Sequence, residues 1–144
     1  MRAWPIRAAA AATFVQGLAH LTLFVSARPT HGPIEEAVVA AMQGSRFETG
    51  SGPHSYWDMY FGYGLNAAGA VLVESLVLWL LVRPFRADPR GVAPILAVLV
   101  LANLLHIVLV LRYFFPLPAM FDGLVAALLL AALLLPERKA QPRT

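Results

Sequence analysis

The sequence contains no cysteine, which excludes disulfide bonds, thiolate metal sites, haem attachment through thioethers and cysteine redox chemistry within the chain. Charged residues are also scarce, at 13% of the 144 residues, against about 25% in soluble proteins. Such a sequence has too few charges for a water-soluble surface. The 59% of hydrophobic residues, concentrated in long uncharged runs, therefore places the chain among integral membrane proteins.

Several classes of site are missing as well. Phosphate loops, nucleic-acid-binding modules and soluble catalytic motifs are absent. His20 and His106 lie in different apolar runs without paired carboxylate spacing, so we predict no metal site and no cofactor. The net charge of +3 comes from arginines at the ends of apolar runs, which is typical of topology signals and does not indicate a nucleic-acid partner.

Four apolar stretches are present, near residues 8–27, 59–82, 92–113 and 119–135, and each is long enough to cross a hydrocarbon layer of about 30 Å. The turn at 83–91 contains two prolines, which we expect to end one helix and start the next, and residues 115–118 do the same. Such short connections make consecutive helices antiparallel neighbours. The sequence therefore predicts an all-α fold, a polytopic four-helix bundle that forms a single membrane domain over 1–144 and lies in the lipid bilayer.

The distribution of positive charge predicts the orientation. Eight Lys and Arg residues fall on one side of the predicted helices and three on the other: Arg2, Arg7, Arg83, Arg86, Arg90, Arg138, Lys139 and Arg143 against Arg28, Arg46 and Arg112. The positive-inside rule then places both termini in the cytoplasm and the 28–58 loop outside, in a multi-pass protein of the cell inner membrane. A rival interpretation is a signal peptide ending near Ala27. Gln16 and His20 are poor residues for a signal core, so a retained helix is favoured.

The outer loop contains one helical pattern. It opens at Pro33, and its apolar residues Ile34, Val38 and Met42 are four apart. We expect this short amphipathic helix to lie on the membrane surface or to cap the bundle. The glycines and serines that follow it, at 44–45 and 50–53, predict turns.

Polar side chains within the apolar stretches are the strongest functional signal. Each predicted helix one to three carries some at helical spacing: Gln16, His20, Tyr63, Asn66, Glu74, Asn103 and His106. Burying such groups without partners costs several kcal/mol, so we expect them to share an outward-opening polar cavity. Glu74 as acid, with His20 or His106 as base, forms the predicted catalytic set. The other four residues, with Asp58, Arg112 and Asp122 at the mouth, form the predicted ligand-binding set, in which Arg112 neutralises an aspartate. The alternative is that these groups only hydrogen-bond between helices as packing contacts.

An aromatic run stands at the outer end of the second stretch. Tyr and Trp accumulate at membrane interfaces, so an interfacial belt is one interpretation of it. The sequence Ser55-Tyr56-Trp57-Asp58-Met59-Tyr60-Phe61-Gly62-Tyr63-Gly64-Leu65 also resembles the hallmark of a group of small uncharacterised bacterial four-helix integral membrane proteins. In that group a Ser-Tyr-Trp-Asp-Phe-Tyr-Phe-Gly-Phe-Gly-like run begins the second helix, after a loop with a small helix and a basic-aromatic turn that Arg46-Phe47 would match. The resemblance implies the fold but no activity. A looser analogy is to membrane sterol isomerases, which place Glu, His, Asn and Trp in a small helical bundle.

Two functions follow as hypotheses. The first is binding of an apolar small molecule with one polar group, with isomerisation or cyclisation as the chemistry considered. The second is a non-catalytic accessory subunit or assembly factor, whose polar stripes join a homo-oligomer or a partner membrane subunit. A transporter or proton channel is disfavoured because the inner halves of the four stretches offer little polar beyond Glu74.

Overall fold

The computed structural model describes residues 3–135. Four long helices dominate this part of the chain: α1 (Trp4–Ser26), α3 (Tyr56–Ala87), α4 (Pro89–Tyr113) and α5 (Pro116–Leu134). Each is long and apolar enough to cross a membrane, which confirms the prediction of four such helices. Four of the charges used to predict orientation lie outside the described residues, namely Arg2, Arg138, Lys139 and Arg143.

The connection between α3 and α4 is shorter than predicted. Pro84 does not end α3 but lies inside it, and the helix continues to Ala87. The backbone N–H of Asp88 donates to the Pro84 carbonyl at 2.8 Å, which closes the last turn. The Asp88 side chain then caps α4 by accepting hydrogen bonds from the backbone N–H groups of Arg90 and Gly91 at 3.1 and 3.0 Å. Pro89 starts α4 as predicted, but the predicted end of α3 at Pro84 is wrong, and the turn shortens from 83–91 to the single capping residue Asp88.

The segment between α1 and α3 holds the short helix α2 (Pro33–Gly44) and a β-hairpin that the sequence analysis did not predict. Strand β1 (Arg46–Thr49) pairs antiparallel with β2 (Gly52–Ser55). Gly52 adopts a φ of +111°, in the left-handed region that favours glycine, at the end of the turn. The all-α prediction therefore omits a two-stranded ribbon, and the turn expected at 50–53 belongs to this hairpin.

The chain divides into two compact units, and the first combines Met1–Gln16 with Val71–Thr144. In it α4 packs against α5. The largest fully buried apolar side chains of the described residues all belong to this unit: Phe85, Ile6, Leu78, Leu96, Leu129 and Val125. The Ser75 hydroxyl of α3 donates to the Ala10 carbonyl of α1 at 2.8 Å and ties these two helices together.

The second unit is Gly17–Ala70 and contains an aromatic cluster. Phe24 of α1 lies at its centre, with ring centroids 5.4 Å from those of both Tyr60 and Phe61 of α3. Trp57 packs on the same two rings, at 5.6 and 6.4 Å. A methyl group at Gly64 would overlap the Phe24 ring, so the missing side chain makes room for it.

Most of the apolar surface of the long helices faces outward. Within an apolar 18-residue window of each candidate span, between 22% and 33% is buried within the protein. Large side chains such as Leu101 and Val108 of α4 are more than 60% exposed. Exposed apolar surface on this scale is compatible with contact with a lipid bilayer.

Candidate functional site

Asp122 of α5 is a carboxylate that is only 3% exposed. Its two oxygens are bound from two different helices. The Gln16 side-chain amide of α1 donates to Oδ1 at 3.0 Å, and His106 Nδ1 of α4 lies 2.9 Å from Oδ2. Since a buried carboxylate without partners costs several kcal/mol, these contacts are what make the position tolerable. We call Gln16, His106 and Asp122 the Asp122 triad.

The triad fixes which imidazole nitrogen of His106 faces the carboxylate. A carboxylate only accepts hydrogen bonds, so the hydrogen between the two side chains is assigned to His106 Nδ1. A neutral ring then carries its lone pair on Nε2. The His106 side chain is 47% exposed, whereas that of Asp122 is 4% exposed. A buried carboxylate that orients a more exposed histidine is the arrangement by which proteins prepare a proton acceptor.

A second carboxyl group is held by an amide. Asn103 Nδ2 of α4 donates to Glu74 Oε1 of α3 at 2.7 Å and to the Leu99 carbonyl at 2.9 Å, so both of its hydrogens are used. Asn103 is 5% exposed and Glu74 is half-buried. The bond to the Leu99 carbonyl, one helical turn earlier, fixes the amide in the orientation that holds Glu74.

The triad and the Glu74–Asn103 pair meet on one face of α4. Asn103 and His106 are three residues apart, which places them on the same helical face, about 4.5 Å apart along the axis. These two residues bring their hydrogen-bond partners, Glu74 and Asp122, to the same face of α4. The first unit thus gathers five of the predicted site residues, from four helices, around two carboxyl groups and one imidazole.

The partners within this site differ from those expected. Glu74 is hydrogen-bonded to Asn103 and not to a histidine, and His106 is bound to Asp122. Asp122 is buried instead of lying at an open mouth. Within residues 3–135 it forms no ion pair with Arg112, whose guanidinium carbon lies 5.4 Å from the centroid of the Tyr113 ring.

Asp58, in the second unit, has a structural partner. Its Oδ2 accepts hydrogen bonds from the backbone N–H and the hydroxyl of Ser55, both at 2.8 Å, and its own N–H donates back to that hydroxyl at 3.1 Å. This reciprocal pattern is a capping box at the start of α3. It gives a physical reason for serine and aspartate three residues apart in the aromatic run, a signal that the sequence contained.

His20 also lies in the second unit. Its ring stacks on Phe24, with centroids 5.8 Å apart and planes 5° apart. Its Nε2 atom is buried and has no hydrogen-bond partner among residues 3–135. The sequence predicts His20 as a base for Glu74, whereas the contacts described for its ring belong to the aromatic cluster.

Tyr63 and Asn66 lie on an exposed part of α3. With Met59 and Gly62 they line an open cavity of about 270 Å³. Tyr63 is 68% exposed. These two residues therefore share a surface of the second unit, one turn apart on the same helix.

The site holds no cluster suited to a metal. Within the described part of the chain, no three His, Cys, Asp or Glu side chains come close enough to hold an ion. Comparisons of the chain with protein-family models, with curated proteins and with solved structures return no match.

Proposed function

We propose that this integral membrane protein binds an apolar small molecule with one polar group and exchanges protons with that group. The observation that carries the proposal is the Asp122 triad beside the Glu74–Asn103 pair, on helices apolar enough to span a membrane. Ionisable groups at membrane depth are costly and mark functional sites more often than they serve as packing contacts.

The roles follow from the hydrogen bonds. His106 Nε2 is the proton acceptor, because Asp122 occupies Nδ1. Glu74 in its protonated form is the donor, since Oε2 takes no part in the bond to Asn103. Gln16 and Asn103 are positioning residues that hold the two carboxyl groups.

Isomerisation of a double bond is a reaction that His106 as base and Glu74 as acid can complete without a cofactor. His106 removes a proton from one carbon of the ligand, the double bond shifts, and Glu74 delivers its proton to a second carbon. The protein is left with a protonated imidazole and a carboxylate, and one proton transfer between them restores the starting state. Cyclisation of an unsaturated ligand needs the same acid and base.

We place the protein in the cell inner membrane, with both termini in the cytoplasm. The charges at the α3–α4 junction, Arg83, Arg86 and Arg90, support this orientation through the positive-inside rule. Helix α2 then lies outside, on the membrane surface. No residue of α2 is buried, and Ile34 and Val38 are 82% and 53% exposed, which supports a lipid-facing stripe.

We also propose that the chain is related to the small four-helix proteins that share the Ser-Tyr-Trp-Asp-like run. The run works as one structural unit here, since Ser55 and Asp58 cap α3 while Trp57, Tyr60 and Phe61 pack in the aromatic cluster. A sequence that is needed as a unit has a physical reason to recur in related chains.

A second candidate is the accessory subunit or assembly factor. The observation in its favour is that the polar groups of Gln16, Asn103 and Asp122 already form hydrogen bonds within the protein, so they need no ligand. In this case the half-exposed His106 joins a partner membrane subunit, and no chemistry occurs.

The test is analysis of the small molecules that copurify with the protein from native membranes. Wild type is compared with Glu74→Gln and His106→Gln, and with Val108→Ala as a control on the exposed surface of the same helix. We expect a stoichiometric apolar compound with wild type and Val108→Ala, and its loss from both site variants. Equal recovery from all four proteins, or no compound with folded wild type, would contradict the proposal. A stoichiometric protein lost only from His106→Gln would favour the accessory subunit.

A further inference from the structure

One face of α3 in the second unit carries exposed residues spaced three and four apart, Met59, Gly62, Asn66 and Gly69, which we call the Asn66 seam. A Cβ atom added at Gly62 or Gly69 would meet no other atom within 4 Å, so the surface there is open. Spacings of three and four are those of a helix–helix seam, and small residues let a second helix approach closely.

If this surface of α3 faces lipid, the Asn66 side chain places a polar amide in an apolar environment. It lies ten residues after the start of α3, about 15 Å along the axis, in a helix that qualifies as a membrane span. Its side chain has no hydrogen-bond partner among residues 3–135. Since an amide in hydrocarbon without partners costs several kcal/mol, a polar group of a second protein that meets Asn66 at this surface would stabilise the contact.

We propose that the Asn66 seam is the interface of a homodimer, in which α3 packs in parallel against α3 of a second copy. All copies have the same orientation in the membrane, so a two-fold axis between them runs along the membrane normal. Each residue on the axis then faces its own counterpart at the same depth. A second copy is therefore a partner that always places an amide opposite Asn66.

The chemistry of the seam is self-complementary. An asparagine amide both donates and accepts, so two Asn66 side chains satisfy each other across the axis. A single asparagine in an otherwise apolar seam fixes the register and favours two strands. Gly62 and Gly69, nearly one turn before and after it, supply the close approach that the pair needs.

The chain contains no cysteine, so single cysteines give an unambiguous test in native membranes. Gly62→Cys is the probe, because there is open space at this position. Ala67→Cys is the control, since it is also exposed on α3, one residue beyond Asn66 and about 7.5 Å further along the axis than Gly62, but points about 100° away from Asn66. Under mild oxidation we expect most of Gly62→Cys to form a disulfide-linked product of twice the chain mass, and little of Ala67→Cys to do so.

The second measurement is the monomer–dimer equilibrium in liposomes, followed by energy transfer on dilution. Asn66→Leu keeps the size of the side chain and removes its polarity, and we expect the dimer to weaken about threefold to twentyfold. Equal crosslinking of the two cysteine variants overturns the proposal, and so does an unchanged equilibrium for a folded Asn66→Leu. The proposal is also overturned if Gly62→Cys forms a crosslinked product with the mass of another protein. It is overturned as well if Gly62→Cys stays monomeric in the membrane, with only lipid around it.

Discussion

Removal of the buried carboxylate by Asp122→Ala should destabilise the protein by about 3 kcal/mol. The change deletes the acceptor of two hydrogen bonds, from Gln16 at 3.0 Å and from His106 at 2.9 Å. Bonds to a charged acceptor are worth about 1.5–3 kcal/mol each in soluble proteins, and side-chain bonds in membranes have been found to reach about 1.7 kcal/mol. Gln16 is 8% exposed, so its amide would also be left buried without a partner.

A double-mutant cycle isolates the contact between the two buried groups. Once Asp122 is removed, Gln16→Ala has no bond left to break, so the double variant should be less destabilised than the sum by about 1–2 kcal/mol. The assay is reversible unfolding in mixed micelles. Met120→Ala is the control, since this side chain on α5 is 69% exposed, and it should lie within about 0.5 kcal/mol of wild type. Additive effects of the two site variants, or an Asp122→Ala protein as stable as the control, would refute the triad.

Three further changes test other parts of the structure. Gly64→Ala would overlap the Phe24 ring and should cost about 1–3 kcal/mol in the same unfolding assay, and recovery in a Gly64→Ala/Phe24→Leu double variant would identify the ring as the cause. Ser55→Ala removes the hydroxyl of the capping box and should cost about 0.5–2 kcal/mol, whereas an unchanged stability would show that the cap contributes nothing. Hydrogen bonds from backbone N–H groups, that of His31 first, hold the pKa of Glu35 below its ordinary value of 4.5. The stabilisation that these bonds give is therefore present above pH 4.5 and is lost as the pH falls through the lower pKa of the folded state. The measurement is an NMR titration of the Glu35 carboxyl group, and a pKa at the ordinary value would contradict the expectation.

Most of the fold follows from hydropathy, because the four apolar runs are long and bounded by polar residues. The predictions that failed concern the end of α3 and the β-hairpin, which depend on local hydrogen bonds and not on hydropathy. Pro84 is predicted to end a helix, but α3 continues through it to Ala87, and the side chain of Asp88 then caps the start of α4. The hairpin was missed because its eight strand residues contain Gly, Pro and charged residues and show no alternation of apolar and polar residues.

The members of the site were easier to predict than their pairing. Helical spacing put Asn103 and His106 on one face, and the cost of burial indicated that Gln16 and Glu74 face inward. Spacing within a helix does not say which residues of two helices meet, since that depends on the rotation of each helix about its axis. Charge favoured Arg112 as the partner of an aspartate at the mouth, Asp58 or Asp122, whereas the structure gives the Asp122 carboxylate an imidazole and an amide.

The length of α3 sets a geometric condition on the whole protein. Its 32 residues extend about 48 Å, while a hydrocarbon layer is about 30 Å thick. A tilt of about 50° would be needed to hide it completely, which exceeds the range of about 0–40° seen for such helices. Some turns of α3 therefore stand among the lipid headgroups or beyond them, so a thicker or thinner bilayer changes which turns are wetted.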